Sequence, residues 1–282
     1  MKDLSNENVI HVKKDGIEYL QFRKLLEYSD VIKHAYAIGL DKNFRTARAK
    51  NATPLTSEEY EKAVNDYKKL ADSIGIDYIN IAKPNQAHTK NIKAVEKKVK
   101  KDEPDFNLQE YAEIDGLVTN TKNIALATTN ADCILLLFFD PVKKVIANVH
   151  SGWRGTLQRI SIEAVNKMKN DYGCNSSDII CCICPSIRKC HFKVHKDVQE
   201  PFYNEFKDLK EIDEIIVPVD GEDRWSIDTV KINEIILGQA GLKKENIIDC
   251  GICSVCNSDL IHSFRVEKEA YGLETALIEL ID

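Results

Sequence analysis

A cysteine and a histidine stand at the ends of two neighbouring apolar runs in this sequence. Cys133 opens the run 133–139, and His150 follows the run 145–149, with an Asp-Pro turn signal between the runs. Two adjacent strands would place this thiolate and this imidazole side by side, and both are ligand types for zinc or copper. His88, upstream in a Gln-Ala-His-Thr segment, is a third candidate. His88, Cys133 and His150 are therefore candidate ligands of one metal ion.

Two imidazoles and one thiolate leave one tetrahedral position open, which is typical of a catalytic zinc. Such an ion acidifies a bound water or polarises a substrate oxygen. The same three ligands with a weak axial methionine describe a blue-copper site. However, the chain has only Met1 and Met168, the second in a helical pattern, and its seven histidines include no His-x-His pair. Zinc is therefore the favoured cofactor, with copper as the alternative.

The elements that must position these residues alternate between strands and helices. The sequence predicts strands over 78–82, 124–128, 133–139, 145–149, 179–184, 247–250 and 261–265. It predicts helices after a capping box at Thr56–Glu59, from Thr156 to a stop at Gly173, and after the cap Asp228. We expect an α/β (α+β) single domain with a mixed sheet flanked by helices. Residues 1–55 read as an irregular N-terminal segment apart from a strand expected around 17–22, and 56–282 as the catalytic domain, both in one structural unit.

Bulk composition limits the partners of the protein. The net charge of −6 argues against a nucleic-acid binder. No apolar run approaches the roughly 20 residues that span a bilayer. The polar N-terminus does not read as a signal peptide, so we expect a cytoplasmic protein. In a reducing compartment the nine cysteines are expected to be thiols, with special ones serving metal binding or catalysis.

The chain resembles the YfiH/laccase-domain family, also called the multicopper polyphenol oxidase family. The matching pieces are Gln86-Ala87-His88, Ala131-Asp132-Cys133, His150-Ser151-Gly152-Trp153-Arg154-Gly155, Cys184-Pro185-Ser186-Ile187 with Cys190, and Ser263-Phe264-Arg265. The N-terminal quarter departs from the pattern, because it lacks the usual Thr-Arg-x-Gly-Gly and Asn-Leu-Gly segments. The resemblance implies a YfiH-like fold and a zinc-dependent purine nucleoside enzyme. Phosphorolysis of adenosine, inosine or methylthioadenosine with phosphate, and deamination of adenosine, are the implied reactions.

Polar residues beside the proposed ligands are candidates for substrate contacts. Gln86 and Asn130 are predicted to hydrogen-bond a base or ribose, and Arg265 to bind an anion. Arg154 and Asp132 join Cys133 and His150 as predicted catalytic residues: Arg154 would hold phosphate, and Asp132 would orient a ligand or carry a proton. Two alternatives stay open, a copper-dependent polyphenol oxidase and a metal-stabilised binding protein without catalysis.

The other cysteines allow two interpretations. Cys181, Cys182 and Cys184 fit a buried strand as core residues, while Cys190 and the Cys253-x-x-Cys256 pair leave a second, structural zinc open. In the family pattern, Cys190 and Cys253 match positions near the active cavity. No sequence signal marks His191 or His195 as a ligand.

Overall fold

Two large mixed sheets and one small sheet form within residues 2–47 and 54–281, which are the residues that this computed structural model describes. The seven-stranded sheet has the order β1 (Val9–Lys14), β2 (Ile17–Phe22), β3 (Ile32–Ile38), β16 (Glu274–Leu280), β8 (Ala125–Asn130), β4 (Ile81–Lys83) and β6 (Asp105–Phe106). The six-stranded sheet has the order β15 (Ile247–Asp249), β11 (Ile180–Ile183), β9 (Ile134–Asp140), β10 (Val145–Ser151), β7 (Gly116–Thr119) and β5 (Ile92–Ala94). The small sheet joins β12 (Lys193–Val194), β14 (Trp225–Ile227) and β13 (Ile216–Pro218).

The two large sheets pack on each other, and strand β9 shows why its sequence is apolar without alternation. Leu135, Leu137 and Phe139 belong to the core that also contains side chains of the seven-stranded sheet. Residues 134, 136 and 138 belong instead to a second core, which contains helical residues. A strand that is buried on both faces needs apolar residues at every position.

Helices pack around the three sheets. They are α1 (Arg23–Leu26), α2 (Ser57–Ile74), α3 (Trp153–Leu157), α4 (Ile160–Tyr172), α5 (Lys196–Phe206), α6 (Ile212–Ile215), α7 (Thr229–Gln239) and α8 (Phe264–Glu267). Helix α2 packs Tyr67 and Leu70 on the seven-stranded sheet, while α4 and α7 cover the six-stranded sheet. The predicted capping box of α2 is present, with Thr56 accepting from the Glu59 amide. The predicted α/β class is thus confirmed, with two stacked large sheets in place of one.

The predicted helix from Thr156 to Gly173 is interrupted. Arg159 has a φ of 58°, and it separates α3 from α4. Gly173 ends α4 in the left-handed region, as predicted. The expected strand over 261–265 is wrong, since α8 begins at Phe264. The spacing of apolar residues predicts neither difference. It does not show a single left-handed residue within a helical pattern, and over a few residues it does not separate a strand from a short helix.

The N-terminal segment is more regular than its sequence predicts. Strands β1, β2 and β3 occupy much of 1–55, and β3 pairs antiparallel with the last strand, β16. Their apolar residues alternate poorly with lysine, histidine and glutamate, so the local pattern is weak, and pairing with β16 supplies the order. Residues 48–53 of this segment lie outside the described residues. The division at 55/56 stays a prediction.

Across 2–47 and 54–281, no helix combines the length and the apolar character that crossing a membrane requires.

Candidate metal centre

Three connections between the two large sheets converge on one place in the fold. His88 lies on the connection from β4 to β5, Asp115 on that from β6 to β7, and Cys133 on that from β8 to β9. Each of these connections leaves the seven-stranded sheet and enters the six-stranded sheet. His150 lies in β10, directly beside β9. The sheet crossings therefore bring together residues that are 62 positions apart in sequence, from 88 to 150.

His88, Cys133 and His150 form the His2Cys centre, in which the candidate ligand atoms all lie within 4.8 Å of one another. Cys133 Sγ is 3.8 Å from His88 Nε2. The two imidazole rings are nearly perpendicular, at 86°, with centroids 4.9 Å apart. His150 is buried, Cys133 is half-buried and His88 is exposed, so the centre opens to solvent on the His88 side.

The buried carboxylate of Asp115 positions both histidines. Its Oδ1 accepts a hydrogen bond from His150 Nδ1 at 2.8 Å, which leaves Nε2 of that ring directed away from the carboxylate. Its two oxygens also accept the backbone N–H groups of Ala87, His88 and Thr89, at 3.2, 3.0 and 2.7 Å. A carboxylate behind a histidine fixes the ring and its tautomer, as is usual around protein metal sites. The sequence gives no local signal that separates Asp115 from other acidic loop residues, so it was not among the predicted site residues.

The same carboxylate explains how His88 keeps an uncommon backbone conformation. His88 has a φ of 61°, in the left-handed region that non-glycine residues rarely occupy. Three consecutive amides on one buried carboxylate hold the 87–89 loop in this shape. A strained residue held by its surroundings at a candidate site is typical of functional loops.

Electrostatics in the centre favour a thiolate. Burial raises the pKa of Cys133, but the His150 and His88 imidazoles outweigh it and lower that pKa to about 6. Burial lowers the pKa of His150, but the Cys133 thiolate and Asp115 outweigh it and raise that pKa to about 9. Burial also raises the pKa of Asp115, and the hydrogen bonds from His150 and Thr89 bring it down to about 2. Without an ion, the centre thus pairs a thiolate and a carboxylate with a protonated His150, and a divalent cation would bind in exchange for the proton on that ring.

Glycine is required at position 152 because a side chain would not fit there. A Cβ at this position would lie 2.6 Å from His88 Cδ2 and 3.3 Å from Cys133 Sγ. Its φ of −65° is open to any residue, so the reason for glycine is the close approach of two ligands.

Asp132 shapes the turn that carries Cys133. Its Oδ1 accepts hydrogen bonds from the Ser254 and Ser263 hydroxyls at 2.6 and 2.7 Å, and its Oδ2 accepts from the Arg265 amide at 2.7 Å. Its own φ is 82°. The carboxylate that was predicted to be catalytic is therefore engaged with three groups on the far side of the turn.

Asn130 and Gln86, the predicted substrate contacts, also have protein partners. Asn130 donates to the carbonyl oxygens of Cys133 and Pro185 at 2.5 and 3.0 Å, and accepts from the Tyr36 hydroxyl at 3.0 Å. The Gln86 amide exchanges two 2.8 Å hydrogen bonds with the backbone of Thr129. Both side chains hold the loops that carry ligands.

The two predicted anion-binding arginines differ in their surroundings. Arg265 donates from Nη1 to the carbonyl oxygens of His191 and Lys193, at 2.8 and 3.3 Å. Arg154 lies exposed in α3, with its guanidinium carbon 4.2 Å from the centre of the Trp153 ring. Among the residues that the structure describes, no carboxylate forms a salt bridge with Arg154, so its donors remain available to an anion.

A second group of cysteines and one histidine lies outside this centre. Cys190, His191, Cys253 and Cys256 form the Cys3His cluster, whose candidate ligand atoms also lie within 4.8 Å of one another. The sequence allows a second zinc site at Cys190 and the Cys253-x-x-Cys256 pair. It does not mark His191 as a ligand, since only the fold brings 190–191 next to 253–256. Cys181, Cys182 and Cys184 are fully buried core residues, as predicted.

The donor set of the His2Cys centre fits a metal ion. One thiolate, two imidazoles and a carboxylate behind one ring are a common protein environment for zinc or copper, and the exposed side leaves a position open. Fold and centre together define an α/β protein with a candidate metal site.

A model of the multi-copper polyphenol oxidoreductase laccase family matches residues 46–281, and the chain belongs to this family. The crystal structure of YfiH from Bacillus licheniformis has a TM-score of 0.80 at 21% identity, covering 98% of this chain and 100% of that one. YlmD from Geobacillus stearothermophilus has a TM-score of 0.77 at 20% identity, covering 97% of this chain and all of that one. The expected YfiH-like fold is confirmed.

Three relatives of known name share parts of the sequence. Human purine nucleoside phosphorylase LACC1 is 31% identical over 59% of this chain and 38% of its own length. Purine nucleoside phosphorylase YlmD from Bacillus subtilis is 32% identical over 56% of this chain and 55% of its own length. Adenosine deaminase RL5, from an unknown prokaryotic organism, is 28% identical over 70% of this chain and 73% of its own. The chain thus spans about half, or less, of the first two relatives.

Proposed function

We propose that this protein is a zinc-dependent enzyme of purine nucleosides. The proposed reactions are phosphorolysis of adenosine, inosine or methylthioadenosine, and deamination of adenosine. The observation that carries the proposal is the convergence of His88, Cys133 and His150 in a centre with one open side. The names of the relatives, purine nucleoside phosphorylase and adenosine deaminase, support the substrate class.

His88 Nε2, Cys133 Sγ and His150 Nε2 would hold the ion. Bound there, zinc would supply Lewis acidity toward a substrate or water oxygen. Asp115 accepts a hydrogen bond from Nδ1 of His150, which would leave Nε2 of that ring as the ligand atom. The amides of residues 87–89 on the same carboxylate keep His88 in register with the other two ligands.

Arg154 is the proposed phosphate-binding residue. It lies four residues after His150 in α3, its guanidinium stacks on Trp153, and its donors have no carboxylate partner among the described residues. A guanidinium binds phosphate oxygens with two parallel hydrogen bonds, which would orient the nucleophile toward the ribose.

Four other predicted site residues are proposed to position the centre. Asp132 and Asn130 define the turn that carries Cys133, and Gln86 fixes the approach to His88. Arg265 donates its backbone amide hydrogen to the Asp132 carboxylate and so contributes to the same turn. Protein partners engage the side chains of Asp132, Asn130 and Gln86 and the Nη1 group of Arg265, so a positioning role is proposed for all four.

Zinc is proposed over copper because of the available ligands. Multicopper oxidation requires a larger set of imidazoles than one centre with two histidines. Within residues 2–47 and 54–281, the only groups of three or more close metal-binding side chains are the His2Cys centre and the Cys3His cluster. Met168, the candidate axial ligand for copper, is a fully buried residue of the core under α4.

The test measures metal content and turnover in the same preparation. Protein purified without added metal is assayed by mass spectrometry of metals and with adenosine in phosphate buffer. Zinc at the centre, with adenine or inosine appearing, supports the proposal. Copper, with oxidation of a phenol and no nucleoside turnover, would replace it with the oxidase. Zinc without turnover of any purine nucleoside would favour a binding protein.

A further inference from the structure

We propose that the Cys3His cluster is a second metal site, structural in role, that binds zinc or a similar thiolate-preferring divalent cation. Cys190 and His191 lie between β11 and β12, and Cys253 and Cys256 lie on the turn after β15. Two distant chain segments therefore supply three sulfurs and one imidazole nitrogen to one point.

The separations between the donor atoms match a tetrahedron. Cys190 Sγ is 3.7 Å from Cys253 Sγ and 3.9 Å from Cys256 Sγ. His191 Nδ1 is 3.2, 3.6 and 3.5 Å from the sulfurs of Cys190, Cys253 and Cys256. With Zn–S near 2.3 Å and Zn–N near 2.0 Å, tetrahedral edges are about 3.8 Å for two sulfurs and about 3.5 Å for sulfur and nitrogen.

Disulfide bonding does not account for this arrangement. A disulfide brings two sulfurs to about 2.05 Å. It would not explain why the third cysteine and the histidine lie at the same place. The sulfur separations of 3.7 and 3.9 Å keep Cys190 equally close to both partners. An imidazole nitrogen that faces all three sulfurs is the geometry of a shared ion.

Four protein donors indicate a structural role. The cluster fills all positions of a tetrahedral ion, whereas the His2Cys centre supplies three. Closed sites of this kind contribute to folding because the ion binds only where the folded chain has brought its ligands together. Here the ion would add to the isolated bridge between Ser186 and Cys253 and to the ion pair of Arg188 with Asp249, which already join the two segments.

The cluster is also connected to the His2Cys centre. Ser254, between two of its cysteines, donates its hydroxyl hydrogen to Asp132, the neighbour of Cys133. Arg265 donates its guanidinium to the carbonyl of His191 and its amide to Asp132. We infer that an ion in the cluster holds Ser254 and Arg265 in place, and through Asp132 the turn of Cys133.

Zinc stoichiometry after reconstitution tests this site without reference to turnover. Apoprotein is prepared anaerobically, loaded with zinc alone, and freed of excess ion. We expect two equivalents in the wild type and one in Cys133→Ala. We expect one in a Cys190→Ser/Cys256→Ser variant, and none when all three changes are combined. Cys174→Ala, which removes a buried thiol outside both groups, is the control and should retain two equivalents.

Cobalt reports which ligands hold the ion. In Cys133→Ala loaded with Co2+, a thiolate-to-cobalt band with the intensity of three thiolates is expected. This variant leaves the cluster intact, so the result does not depend on whether the Cys190→Ser/Cys256→Ser variant folds. Absence of zinc and cobalt from Cys133→Ala would overturn the site. A disulfide within the cluster of anaerobically purified protein would overturn it as well.

Discussion

The His2Cys centre and the Cys3His cluster use the same side-chain chemistry in opposite ways. In the first, three candidate ligands are held by a buried carboxylate, and the side of His88 is exposed. In the second, four candidate ligands surround one point, and no described carboxylate hydrogen-bonds to the histidine. The first arrangement leaves room for a substrate; the second leaves none.

This difference shows that ligand count and support decide what a metal site does. A catalytic centre needs rigid ligands and an empty position. Hydrogen bonds to Asp115 and Asp132 provide this rigidity around the His2Cys centre. A structural site needs only closure, and its own ligands supply the rigidity. Four changes, ordered by expected effect, would break or sharpen the contrast.

Removal of the thiolate at the open centre should have the largest effect. Cys133→Ala is expected to reduce nucleoside turnover to background and to lose one zinc equivalent, because two imidazoles alone bind the ion weakly. Metal analysis and a product assay by chromatography measure both. Cys174→Ala controls for loss of a buried thiol and should keep activity. Wild-type turnover in Cys133→Ala would contradict the assignment.

The carboxylate behind His150 should come next. Asp115→Asn is expected to weaken zinc affinity and turnover about 10- to 100-fold, because an amide cannot accept from His150 and from three backbone amides as a carboxylate does. Competition with a chelator gives the affinity. Glu113→Gln makes the same change of charge two residues away on an exposed side chain and should leave affinity unchanged. Equal zinc affinity of the two variants would show that Asp115 does not support the ligands of the centre.

Loss of the proposed phosphate contact should leave the metal in place. Arg154→Ala is expected to raise KM for phosphate about tenfold or more, the value of one or two charge-assisted hydrogen bonds, with zinc content unchanged. Initial rates at varied phosphate concentration measure it. Arg224→Ala, which removes a surface arginine paired with Glu222, is the control. A drop in kcat at unchanged KM would assign Arg154 a different role.

The smallest effect concerns a residue away from both metal-binding groups. Burial raises the pKa of Glu279 in β16 from 4.5 to about 7, against the attraction of Lys33 and with repulsion from Asp77. A raised folded-state pKa gives stability that is complete below pH 4.5 and is lost as pH rises through 7. The free energy of unfolding of Glu279→Gln should therefore exceed that of the wild type at pH 8, by up to about 3 kcal/mol. Near pH 4 the two values should be equal.

Denaturant titrations of both proteins at each pH provide the difference. Contributions of the two metal-binding groups cancel in it, since both proteins contain them. A constant difference across this range would show that Glu279 titrates normally. The result also separates pH effects on the seven-stranded sheet from pH effects on ligands.

The sequence predicted the elements whose signal is local. Strands β8, β9, β10 and β11 carry apolar runs, and α2 carries a capping box and a terminal glycine, so each was recognisable. Strands β1 and β3 were not, because their order depends on partners elsewhere, above all on β16. The break at Arg159 is a single residue in the left-handed backbone region, which the spacing of apolar residues does not encode.

For the sites, residue type was enough to select His88, Cys133 and His150, and the sequence alone determined that these could serve as ligands. Tertiary structure decided the rest. Asp115 matters only because the crossing from β6 to β7 meets those that carry His88 and Cys133, and His191 only because its loop faces Cys253. Ligand chemistry belongs to single side chains and is visible in sequence. Support and closure are contacts between distant segments, which exist only once the two sheets have stacked.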